Sequence, residues 1–138
     1  LRANVVGRRP ENPLLADSNL MAAMPKTSAD QFRNDVFAIT RLIPAGRVSS
    51  YGSIAASIGS KGAARRVGWV LNGSFEAMPP VPAHRVVNRM GLLSGRMHFS
   101  ANMPMEELLR AEGVEVRENR VVNFEKLHWD PMVECEIE

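Results

Sequence analysis

Acid–base, nucleophilic and phosphate-contacting side chains are spread unevenly along these 138 residues. The one thiol, Cys135, sits among Glu134, Glu136 and Glu138, whose charges disfavour a thiolate and make it a poor nucleophile. A single cysteine closes no disulfide within the chain, and no cysteine cluster offers a zinc site, so neither a metal nor a cofactor is expected. The cations carry more information. From Val36 to Met105 the bases are Arg41, Arg47, Lys61, Arg65, Arg66, Arg85, Arg89 and Arg96 against one acid, Glu76. From Glu106 to Glu138 ten acids face the four bases Arg110, Arg117, Arg120 and Lys126. A basic middle with an acidic end is the pattern of a surface that meets phosphates on one side, although arginines scattered over separate faces give the same count.

Those arginines need elements to hold them. The length and a 45% apolar share suit one globular domain with its own core. No run reaches about 18 apolar residues, and the first residues lack the charged-then-apolar order of a secretory signal. A soluble cytoplasmic protein without membrane contact, nucleoid-associated if bacterial, is expected. Residues 1–28, with Pro10, Pro13 and Pro25, show no sustained period and read as a flexible arm. Residues 29–131 read as the domain and 132–138 as a tail.

Ser28 or Asp30 can cap a helix whose apolar positions Phe32, Val36, Ile39 and Ile43 recur at helical spacing, and Pro44-Ala45-Gly46 ends it. Ser49 or Ser50 can cap a second helix through Ile58, with Gly59-Ser60-Lys61-Gly62 as a turn. A third runs from Ala63 to Asn72 and closes at Gly73. Two helices across a short glycine-containing turn, the second opening with arginines, make a helix-turn-helix or an ordinary helical hairpin. Met78-Pro79-Pro80-Val81-Pro82 cannot be helical. Arg85-Val86-Val87 predicts a short strand, Met103 to Glu112 a helix closing at Gly113, and Val114 to Val122 a hairpin turning at Glu118-Asn119, a possible wing.

Four segments, in order and spacing, resemble the C-terminal domain of the O-6-alkylguanine-DNA alkyltransferases over about residues 31–131. They are Pro44-Ala45-Gly46-Arg47-Val48-Ser49-Ser50-Tyr51-Gly52-Ser53-Ile54-Ala55, Ala64-Arg65-Arg66-Val67-Gly68, Pro82-Ala83-His84-Arg85-Val86 followed by Gly91, and Leu108-Leu109-Arg110-Ala111-Glu112-Gly113. The family's acceptor cysteine is replaced by Ala83. A methyl group has no lone pair with which to accept an alkyl carbon, and that combination resembles the alkyltransferase-like (ATL) proteins. The implied fold is mostly α with a small β component, a winged helix-turn-helix-like DNA-binding domain of the alkyltransferase C-terminal type.

The resemblance also implies roles. Arg65 is the finger that enters the duplex from the minor groove and fills the place of an extruded base, a task suited to a planar cation. Arg66 carries no family role and reads as phosphate-facing or solvated. Tyr51 crowds the target phosphate and lines the pocket, or simply anchors the start of its helix. Gly52, Gly62 and Gly68 allow close backbone approach. Asn72 and Ser74 contact the DNA backbone, and Leu71 packs under the recognition helix and touches the flipped base. Backbone groups of Ala83, Val86, Ser94 and Gly95 complete a lesion pocket, with Leu92 and Leu93 as an apolar wall. Arg96 reads the alkylated purine, or is one more solvated loop arginine. No residue is catalytic: His84 and Glu112 remain as a structural pair. Trp69 and His98-Phe99 receive no role. Trp129-Asp130-Pro131 either closes over the fold or lies exposed.

The function so implied is non-enzymatic recognition of O-6-alkylguanine in duplex DNA by a monomer, with handover to nucleotide excision repair proteins. A cysteine-to-alanine variant of an active alkyltransferase and a helix-turn-helix transcription regulator are the alternatives.

Overall fold

A computed structural model describes residues 28–134. The arm expected at 1–28 thus falls almost wholly outside the described residues, as does Cys135. The chain divides after Gln31, and the unit from Phe32 onward holds every described element except the first turn of one helix. That helix, α1 (Ser28–Leu42), is followed by β1 (Ser49–Ser50), α2 (Tyr51–Ser57) and α3 (Ala64–Asn72). A 3-10 turn at Ala83–Arg85 leads into β2 (Val86–Val87), and a second, Arg96–His98, precedes α4 (Met105–Ala111). The hairpin β3 (Val116–Arg117) and β4 (Arg120–Val121) and the single turns α5 (Phe124–Leu127) and α6 (Pro131–Glu134) complete it. The chain is mostly helical with small sheets, as its pattern implies.

Glycine sets two of the helix ends. After α2 the Gly59 amide donates to Ala56 O at 3.0 Å and the Ser60 amide to Ala55 O at 2.9 Å, with Gly59 at φ +80. That is the Schellman pattern, which needs a left-handed residue just past the cap. The same two bonds recur after α4, from Gly113 (φ +88) to Arg110 O and from Val114 to Leu109 O, both at 3.0 Å. Val114 and Leu109 are both buried, the apolar contact that accompanies this cap. The other end of α4 differs from expectation. It starts at Met105, because Pro104 pushes Met103 out of helical geometry and Met103 belongs to a separate turn closed on Ser100. The hairpin turns at Glu118 (φ 53) and Asn119 (φ 61), the pair of left-handed residues that two-residue hairpins favour.

β1 and β2 pair in parallel, Ser49 opposite Val86 and Ser50 opposite Val87, with α2 and α3 in the crossover. Side chains alternate across a strand, so the two valines serve different cores. Val86 joins Phe32, Val36, Ile54, Val67, Leu71, Ala83 and Trp129, while Val87 joins Val48, Leu93, Met105, Leu109 and Val121. Each fully buried valine contributes about 1.5–3 kcal/mol of apolar burial.

The carboxyl end is tied to β1. Val48 donates to Leu127 O at 3.1 Å and receives the Trp129 amide on its carbonyl at 2.6 Å. Arg47 donates to the carbonyls of Leu127 and His128 at 2.9 Å each and pairs with Glu134 at 3.1 Å. Trp129 is 5% exposed and so closes over the core. The tail expected from 132 instead begins within the helical turn α6. No helix among the described residues is long and apolar enough to cross a membrane.

Candidate nucleic-acid interface

α3 divides its residues between core and cleft. Val67 and Leu71 are buried. Ala64, Arg65, Gly68, Trp69 and Asn72 line a cleft of about 300 Å³ whose other walls are Tyr51, Ser94, Gly95 and His98. Tyr51 opens α2, directly after Ser50, whose Oγ accepts the Ser53 amide at 3.1 Å as the N-cap. Its ring passes close to two glycines. A Cβ built at Gly68 would lie 3.8 Å from Tyr51 Cε1, and one at Gly95 only 2.8 Å from Tyr51 Oη. Burial pushes the phenol above its ordinary value, opposed by a hydrogen bond with the Ser94 side chain. The Tyr51 hydroxyl is therefore neutral at physiological pH, with its ring beside Gly68 of α3 and its oxygen against Gly95 of the loop.

Arg65 is exposed at the cleft. Arg66, expected to face phosphate or solvent, has its guanidinium over the Phe32 ring at 4.1 Å, a cation–π contact with α1. Gly62, at φ +95, is required by the turn itself. Gly52 is exposed, with open space beside it.

Ser74, expected on the DNA-facing surface, lies inside. It is 1% exposed and its Oγ donates to Leu71 O at 2.7 Å, so it locks the end of α3 and offers nothing to a ligand. Leu71 and Val86 belong to one core and Leu93 to the other.

The expected single pocket is spread over two hollows. Ala83, 8% exposed, faces a second one of about 400 Å³ with Phe75, Val81, His84, Phe99, Met103 and Leu108, and His98 lines both. Phe75 and Phe99 meet edge to face at 4.9 Å. Arg96 starts its 3-10 turn, is exposed, and donates to Leu93 O at 3.3 Å without lining either hollow.

Beside Ala83 the ionisable groups are locked together. His84 Nε2 lies 2.8 Å from Glu112 Oε2, and Arg85 donates to the same carboxylate through Nε at 3.0 Å and Nη2 at 2.6 Å. Arg85 Nη1 also donates to Ile43 O at 2.8 Å, joining the end of α1 to the cluster. Burial alone would raise the Glu112 pKa; the hydrogen bonds and charges of Arg85 and His84 outweigh it and hold the carboxyl below its ordinary range. Arg85 was not singled out by sequence reasoning, because its partner lies 27 residues away and no local spacing joins them. Among the described residues no three of His, Cys, Asp and Glu gather as metal ligands.

The site assembles a cation from α3 and a neutral phenol from the start of α2 at one cleft, an apolar hollow beside it, and at position 83 a methyl. A family model described as "6-O-methylguanine DNA methyltransferase, DNA binding domain" matches residues 31–114. A relative named DNA base-flipping protein, from Vibrio parahaemolyticus, is 37% identical over 102 residues, 74% of this chain and 99% of its own. Alkyltransferase-like protein 1 of Schizosaccharomyces pombe is 32% identical over 74% of this chain and 97% of its own. The crystal structure of S. pombe Atl1 in complex with damaged DNA containing O6-carboxymethylguanine superposes with a TM-score of 0.65 at 33% identity, covering 78% of this chain and all of that one.

Proposed function

The chain belongs to the 6-O-methylguanine DNA methyltransferase DNA-binding-domain family, among its alkyltransferase-like members, and from that premise we propose that it recognises O-6-alkylguanine in duplex DNA without removing the alkyl group. The observation that carries this reading is the meeting of Arg65, Asn72, Tyr51, Ser94 and Gly95 on one cleft along the exposed face of α3. Its relatives include proteins named for base flipping and a structure holding damaged DNA, which support the same reading.

Binding begins with charge. Arg65, Arg66, Lys61, Arg89 and Arg96 attract the phosphate backbone, a salt-dependent and sequence-independent term. Extruding a nucleotide costs a few kcal/mol, about the magnitude that one stacked cation and a few phosphate contacts supply. Arg65 occupies the vacated place. Tyr51 turns the target phosphate, and the base enters the space between α3 and the loop carrying Ser94 to His98; Arg96, exposed on that loop outside the cleft, must leave Leu93 O and swing inward to read the alkylated edge. Ala83 forms a wall of the neighbouring hollow, which shares His98 with this cleft, and is no acceptor; the His84–Arg85–Glu112 cluster keeps that wall in position. Binding is reversible, the protein acts as a monomer on the chromosome, in the cytoplasm or nucleoid, and the held lesion is the mark that nucleotide excision repair proteins engage.

A competition titration tests this. A duplex with one O6-alkylguanine should displace a labelled probe at lower concentration than its unmodified counterpart. Equal displacement would remove lesion recognition and leave a sequence-reading helix-turn-helix regulator. A labelled alkyl group should not appear on the denatured protein.

A further inference from the structure

Trp69 is the one large aromatic on α3 and has no part in the proposed sequence of binding steps. Arg65, Trp69 and Asn72 follow the i, i+4, i+7 spacing that aligns side chains along one helix face, and all of them line the Tyr51 cleft. The core stripe of α3 is filled by Val67 and Leu71, so packing of the domain does not account for the indole. Trp69 is 66% exposed in the free protein and gains little from burial there. A flat, polarisable ring at the mouth of a cleft, one turn from a cation, matches the face of a nucleobase, which every base presents.

We infer that Trp69 is a nucleobase-binding residue: its indole stacks on the extruded purine while Arg65 fills the place the base has left. The inference rests on the lesion-recognition reading proposed for the same cleft. His98 borders that cleft from the loop side, so the purine lies between a helix-borne and a loop-borne ring.

The chain carries its own reporter. It has two tryptophans, and Trp129 is buried in the core, so a ligand in the cleft acts on the emission of Trp69. The full chain is titrated with an end-labelled duplex containing one O6-methylguanine and with the unmodified duplex. Anisotropy gives occupancy, and indole emission is compared at matched occupancy. Emission should fall more with the modified duplex, and Trp69→Phe should abolish that difference while keeping most of the affinity. Trp69→Ala should weaken binding to the modified duplex about tenfold, with a smaller effect on the unmodified one. Preference by anisotropy without a differential loss of emission overturns the role of Trp69 alone, as does a Trp69→Ala variant that binds like the parent. Absence of any preference in anisotropy overturns both this inference and the reading it rests on.

Discussion

Replacing Gly95 by alanine separates stability from binding. Gly95 sits at φ −93, ψ 7, which alanine adopts freely, so the substitution should gain about 0.4–1 kcal/mol from a less flexible unfolded chain. Against this, the new methyl would lie 2.8 Å from Tyr51 Oη, closer than any real contact, and the hydroxyl must withdraw. Losing its bond with Ser94 costs about 0.5–1.5 kcal/mol. The two effects nearly cancel, so Tm should move by no more than about 5 °C. Binding should not be spared, because the displaced phenol can no longer stand where the target phosphate turns. A loss of at least about tenfold, or 1.4 kcal/mol, is expected in competition titrations. Tyr51 is the chain's only tyrosine, so tyrosinate absorbance follows it alone. Burial raises its pKa, and a hydroxyl pushed toward water should titrate closer to the ordinary value of about 10. A raised phenol pKa contributes stability that is present below about pH 10 and lost as pH climbs through the folded value, so the variant should lose less in alkali. Unchanged lesion affinity with an unchanged phenol titration would refute the reasoning.

Glu112→Gln removes the charge that holds His84 and Arg85 and should cost about 1.5–3 kcal/mol at neutral pH, measured by denaturant unfolding. Since the Glu112 pKa is lowered by folding, that stability is present above about pH 4.3 and disappears as pH falls through the lower folded value, so parent and variant should converge in acid. Arg65→Ala should weaken binding to modified and unmodified duplexes alike, and Arg96→Ala should mainly reduce discrimination between them; the ratio of the two affinities separates these outcomes. Arg47→Ala should lower stability by about 1–3 kcal/mol, because the His128 carbonyl loses the Arg47 donor and Leu127 O keeps only the Val48 amide, with thermal unfolding as the measurement.

Local chemistry was readable from the chain where one residue type dictates one conformation. Gly59 and Gly113 mark helix ends because few other residues tolerate the left-handed position, and Asn119 marks its hairpin for the same reason, while Glu118 takes that position against its own preference. Contacts between distant segments were not readable. The Arg85 fork to Glu112 and Ile43, and the seat of Arg66 on Phe32, depend on how α1, α4 and the Ala83 turn come together. Ser74 was expected at the DNA backbone, and the structure buries its side chain, because the way the end of α3 packs decides exposure before function does. Trp129 shows the converse: its burial follows from the Val48 pairing of the carboxyl end, which no spacing in the sequence announces.

The short parallel pair of strands has a mechanical consequence. Because Val86 and Val87 are anchored in separate packed layers, the backbone just after Ala83 can shift only by disturbing both, and its amides should exchange with solvent about as slowly as global opening allows. The segment across the Ala83 hollow is held only at its ends, by Leu93 in one core and Phe99 against both, while Ser94, Arg96, Met97 and His98 between them are exposed. On the proposed lesion-recognition reading, a guest that reaches this hollow meets one fixed jaw and one whose middle can yield, so the bulk it tolerates is set by how far that middle travels between its two anchors.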